Sequence, residues 1–194
     1  LFKIGSKDAW WHIKTGEVIQ RTFSIPVTDS FSHTYNGKRV LYLDVISDVM
    51  LYYAYRIGGA SLLSIMTSLL IVALYLILIF HSVRIRNLPL LPAIFASLIS
   101  FAMLQFKAVP RPETIALLLM ALFILFVDTY RITGKNRYLI YLIPLQLLWV
   151  NMHRSAPLGI VIYLLFFISR TYYIKKARSS NLLKGYKENF GKLI

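Results

Sequence analysis

The chain opens with a mixed, largely polar stretch and then alternates long apolar runs with short cationic turns. Residues 57–83 contain no charge between Arg56 and Arg84. That run exceeds the roughly 20 residues an α-helix needs to cross a bilayer core, so it predicts a membrane span. Four further runs follow, at 88–106, 114–127, 138–150 and 156–169, the last extending toward Tyr173. The second opens with LPLLPA, where prolines suit a first helical turn. The third and fourth are short for a span. They predict tilt, a kink such as one at Pro144, or continuation by backbone buried in protein, with Asp128 ending the third run at an interface.

The first 56 residues carry a different pattern. DAWWHIKTGEVIQ, residues 8–20, reads as a short helix whose Trp and Ile lie on the bilayer surface. TYNGKRV, residues 34–40, holds Asn-Gly between strand-like residues and signals a hairpin turn. In LDVISDVMLYYAY, residues 43–55, apolar positions recur at Val45, Ile46, Val49, Tyr52 and Tyr53, the spacing of a second surface helix. The expected fold class is therefore all-α: a multi-span helical membrane bundle. Residues 1–56 form a long external loop with amphipathic helices, 57–173 a bundle of about five spans, and 174–194 a basic cytoplasmic segment. With Leu1 as its first residue and GKLI as its last, the chain reads as the N-terminal part of a longer protein.

Composition agrees. Hydrophobic residues make up 57 % of the 194, with mean hydropathy +0.61, too apolar for an ordinary soluble domain. A net charge of +14 suggests nucleic acid in a soluble protein. In a membrane protein it instead orients the helices, because cytoplasmic turns collect Lys and Arg, and no nucleic-acid partner is expected. If residues 1–56 lie outside, the inner segments hold Arg84, Arg86, Arg131, Lys135, Arg137 and the cations from Arg170 onward, whereas the short outer turns hold only Lys107, Arg111 and Arg154. The same topology gathers Asp8, Glu17, Asp29, Asp44, Asp48, Glu113, His12, His33 and His153 outside. There is no cysteine, which excludes disulfides and thiolate metal sites.

Asp8 and His12 are one helical turn apart and share a face. The carboxylate can orient the imidazole, or both can reach a metal ion; the plainer reading is a helix-start acid beside an interfacial histidine. Asp29 either closes a turn or converges on Asp8, and those two acids are the possible ligands of a divalent metal. Asp44 and Asp48 read as the solvent side of an amphipathic helix. Trp10 and Trp11 suit membrane anchoring, with sugar stacking as the alternative. In VPRPE, two prolines hold Arg111 in few orientations next to Glu113, and a guanidinium grips phosphate through paired donors. WVNMHRSAPLG places Trp149, Asn151, His153 and Arg154 at the end of another run, where costly polar groups mark a functional cavity or a helix emerging into water. An acid base beside a cationic phosphate clamp is the equipment for glycosyl transfer from a lipid-linked sugar phosphate. The carboxylate takes the acceptor's proton, and the cations stabilise the leaving phosphate.

DAWWHIKTGEVI, IPVTDSFSHT, NGKRV, YYAYRIGG, PRPE and WVNMH, in that order over residues 8–160, resemble a group of bacterial polytopic membrane proteins whose N-terminal halves are similar to the GT-C class of glycosyltransferases. The resemblance implies a polyprenyl-phosphate sugar as donor and an acidic catalytic residue in the first external loop. It further implies sugar transfer on the outer face of the cytoplasmic membrane. By position, Asp8 matches the loop acid and is the expected base, Asp29 is a supporting acid, and Arg111, His153 and Arg154 would face the donor phosphate. His12 completes the expected catalytic set beside Asp8, and Glu113 and Trp11 the expected substrate-binding set. Where that pattern carries His-Glu-Trp before the second span, this chain has Leu43-Asp44-Val45, and Arg154 stands where glycine is common. The alternative function is a non-catalytic polytopic membrane protein sharing the fold: a lipid-binding or assembly factor, or a transporter. A transporter would carry charges near the centres of its spans, and these runs have none there.

Overall fold

The structure, a computed structural model, describes residues 7–104 and 109–179. It is helical: α1 (Lys7–Thr22), α2 (Val45–Phe80) with a π-helical turn at His81–Ile85, α3 (Leu90–Leu104), α4 (Pro112–Thr133), α5 (Arg137–Met152) and α6 (Pro157–Ser179). The loop between α1 and α2 contains an isolated antiparallel bridge, Thr28 with Arg39. It is closed by the hydrogen bonds Asp29 N–H to Lys38 O and Val40 N–H to Val27 O, so the Asn-Gly signal ends as a short irregular hairpin.

Three segments are long and apolar enough to cross a membrane: Val45–Ile85, Pro112–Thr133 and Pro157–Lys176. At 15 and 16 residues, α3 and α5 are shorter than a standard span. Residues 105–106 of the second expected run, Lys107, and 180–194 of the basic segment lie outside the described residues.

Two boundaries differ from the sequence expectation. Asp128 does not end its helix. α4 continues to Thr133 and stops at Gly134, because the Asp128 carboxylate is buried against His81, Arg86 and Arg131 and needs no water. The expected surface helix and first span run together as α2, broken only at Gly59, whose φ of 58° and ψ of −150° lie in territory nearly exclusive to glycine. The residues before Gly59 therefore change direction relative to the long apolar stretch after it.

Lipid is as apolar as leucine, so helices in a membrane are held by close packing and by polar links rather than by escape from water. The packed centre is α4 against α5, where Ile115, Leu119 and Phe123 meet Leu142, Leu145 and Trp149. A second cluster seats Ile13 of α1 on Leu51, Ala54 and Leu63 of α2. There α1 runs so close to α2 that a Cβ on Gly16 would lie 2.1 Å from the Asp48 carbonyl oxygen. Between distant elements, the Ser47 hydroxyl donates to the Met152 carbonyl at 2.6 Å. Leu69, Val72 and Leu76 on α2, and Leu165 and Ile168 on α6, stay exposed, as lipid-facing residues do.

Candidate functional site

The first turn of α1, the start of α2, the start of α4 and the turn between α5 and α6 meet at one end of the bundle. Their polar side chains pair across segments. Asp8 does not turn to His12. Its carboxylate meets the Arg111 guanidinium at 2.9 Å, with Glu113 at 3.9 Å from the same arginine. Arg111 caps α4 in an extended conformation, followed by Pro112 at the helix start, as the Pro-Arg-Pro spacing requires. One oxygen of Glu113, Oε2, is buried without a hydrogen-bond partner among the described residues.

His12 pairs instead with Asp48, Nδ1 to Oδ1 at 2.7 Å. Asp44, at the cap of α2, accepts the backbone N–H of Arg154 at 3.1 Å and its guanidinium at 3.3 Å. The expectation that Asp44 and Asp48 face solvent is therefore corrected: they are 3 % and 2 % exposed. Their stripe, Asp44, Ser47, Asp48 and Leu51, is buried because cationic and aromatic partners arrive from α1 and from beyond α5.

His153 lies at the junction. Its Nδ1 accepts the Ser155 backbone N–H at 3.1 Å and contacts the Ser155 hydroxyl at 2.7 Å, which in turn accepts the Trp149 indole N–H at 3.2 Å. Burial pushes the imidazole below its ordinary pKa; Asp44 and Glu113 oppose that shift, while Arg154 and His12 reinforce it. Those four charges come from four separate segments.

The remaining expected residues sit around this cluster. Asp29 closes its own turn, accepting the N–H groups of Phe31 at 2.8 Å and Ser32 at 2.9 Å and the Ser32 hydroxyl. The Ser32 hydrogen bonds hold its carboxyl below the usual range. Tyr42 lies near both Asp29 and Asp48, and its hydroxyl is buried without a partner among the described residues; burial first, then Asp29 and Asp48, raises that phenol. Trp11 packs edge-to-face on Phe31 at 5.4 Å and fastens the same loop, whereas Trp10 packs edge-to-face on Tyr55 of α2 at 5.3 Å. His33 is exposed in the loop.

For a divalent metal the donor set does not fit. Asp8 is committed to Arg111 and Asp29 to its turn, and no group of three His, Cys, Asp or Glu converges among the described residues. A second polar cluster lies 15 residues farther along α4, about 22 Å at helical rise. Asp128 there holds His81 at 2.8 Å, Arg86 at 2.6 Å and Arg131 at 3.3 Å, tying α2 to α4. The sequence gives one hint of it, a lone acid following an apolar run.

Compared with known protein families, curated proteins and solved structures, the chain finds no match. The functional reading rests on the chain's own chemistry.

Proposed function

We propose that this protein is a membrane glycosyltransferase of GT-C type, moving a sugar from a polyprenyl-phosphate donor to an acceptor hydroxyl on the outer face of the bacterial cytoplasmic membrane. One observation carries the reading: the two arginine turns, Arg111 and Arg154, share one end of the bundle with Asp8, Glu113, Asp44, His12 and His153. Phosphate headgroups lie at the depth where apolar helices end, so a lipid-linked phosphate would meet these cations there.

The ion pairs suit exchange. Asp8 is 64 % exposed and holds Arg111 from the water side, so a donor phosphate can replace that carboxylate on the guanidinium. Arg111 and Arg154 then balance the charge that grows on the phosphate as the glycosidic bond breaks. On α1, Asp8 and His12 are the two candidates to take the acceptor's proton.

The test is release of polyprenyl phosphate by the purified protein in nanodiscs, supplied with polyprenyl-phosphate hexoses and pentoses and with cell-envelope glycan as acceptor. The proposal expects turnover of at least one donor, and a loss of about 100-fold in Arg111→Ala, the scale for removing one donor to a developing oxyanion. Donor binding without release, across the whole panel, would support the non-catalytic lipid-binding reading instead.

A further inference from the structure

Two imidazoles at this end of the bundle are held in opposite ways. At His12, Nδ1 faces a carboxylate oxygen of Asp48 at 2.7 Å. An ionised carboxylate only accepts, so the ring proton belongs on Nδ1 and the lone pair is left on Nε2. At His153, Nδ1 faces the backbone N–H of Ser155. A peptide N–H only donates, so here the lone pair is on Nδ1. The Ser155 hydroxyl, accepting from Trp149, turns its own hydrogen to the same nitrogen. The proton of His153 is therefore on Nε2. Neither Nε2 has a hydrogen-bond partner among the described residues, and the start of α2 brings the two rings together: Asp48 holds His12, while Ser47 beside it bonds the carbonyl of Met152 next to His153 at 2.6 Å.

We infer that His12 and His153 form an acceptor–donor pair: His12, oriented by Asp48, takes the proton of the acceptor hydroxyl through Nε2, and neutral His153 donates a hydrogen bond from Nε2 to the leaving phosphate. Asp48 is a positioning residue, since it acts through His12. The inference rests on the transferase reading above and assigns the roles within it. The acceptor oxygen forms a bond to the anomeric carbon while its proton passes to His12 Nε2. The bond from that carbon to the phosphate oxygen breaks, and its electron pair leaves with the polyprenyl phosphate. His12 becomes an imidazolium facing the Asp48 carboxylate, and His153 keeps its proton throughout. Asp8, held by Arg111, serves as the counter-ion that the donor displaces and not as the base.

The ring states can be read without any substrate. The chain has 4 histidines, so nitrogen-15 spectra of histidine-labelled protein in nanodiscs resolve each ring, assigned by single substitution, in mildly alkaline buffer. The expected result is His12 protonated on Nδ1 and His153 on Nε2. Asp48→Asn should abolish the Nδ1 preference at His12 and Asp48→Glu should restore it, with His153 unchanged. His12 protonated on Nε2, or His153 on Nδ1, would overturn the inference even if the protein transfers sugar. In the transfer assay, His12→Gln should lower kcat about 100- to 10,000-fold, the range for a general base, while Asp8→Asn chiefly alters KM for donor. Wild-type turnover with an unaffected His12→Gln overturns the pair and leaves the transferase reading standing. No turnover by the wild type removes the reading itself.

Discussion

Gly16→Ala probes the joint on which the candidate site depends. The added methyl would sit 2.1 Å from the Asp48 carbonyl oxygen, 2.5 Å from its carbon and 2.8 Å from the Tyr52 Cβ. Two of these atoms are backbone, so no side-chain rotation relieves the clash. Restoring even the 3.0 Å minimum requires α1 to move off α2 by about 1 Å. The His12–Asp48 contact, now 2.7 Å, would then stretch to about 3.6 Å and cease to be a hydrogen bond. Forcing a group into a close-packed joint costs about 1–3 kcal/mol. Leaving Asp48 buried without its partner adds about 1–3 kcal/mol more, so the sum is about 2–6 kcal/mol. Thermal unfolding of the purified protein, followed by circular dichroism and by protease sensitivity of the α1–α2 loop, measures it. Loss of the His12 ring signal pattern should accompany the loss of stability. A variant with unchanged thermal midpoint and unchanged His12 resonances would refute the packing argument.

Two other outcomes follow from particular residues. Gly59→Ala meets nothing within 4 Å, so its cost is backbone strain alone, about 1–3 kcal/mol for a non-glycine in that conformation; thermal unfolding should show it, and a neutral effect would mean α2 is not broken there. Burial lowers the pKa of His153. The unfolded chain therefore binds the extra proton first, and the contribution of this group is complete above its ordinary value of 6.5 and lost as pH falls below it. The thermal midpoint of the wild type should drop more between neutral and mildly acidic pH than that of His153→Gln, and parallel curves would contradict the assignment.

Much of the helix plan was legible because an all-round apolar run leaves the chain few alternatives in a bilayer. Runs 57–83, 114–127 and 156–169 became the long helices, and 8–20 became α1. What was not legible is partnership. Asp8 and His12 do share a helical face, yet each pairs elsewhere, to residues 103 and 36 positions away, and Asp44 reaches one 110 positions away. Local spacing carries no information about such contacts. One signal was present and misread. Asp44, Ser47, Asp48 and Leu51 form a single i, i+3, i+4, i+7 stripe, and the inclusion of Leu51 marks it as an inward face. Asp128 misled for a related reason: an acid ends a helix only if it needs water, and three cations remove that need.

The central claim is that the start of α1 and the Pro-Arg-Pro turn meet at one end of the bundle. Since the chain has no cysteine, Asp8→Cys with Arg111→Cys gives a clean pair in intact membranes. A short bis-maleimide should join the two thiols within one molecule, and a membrane-impermeant maleimide should label both from the same side. Failure to cross-link, with the two thiols labelled from opposite sides, would contradict the account.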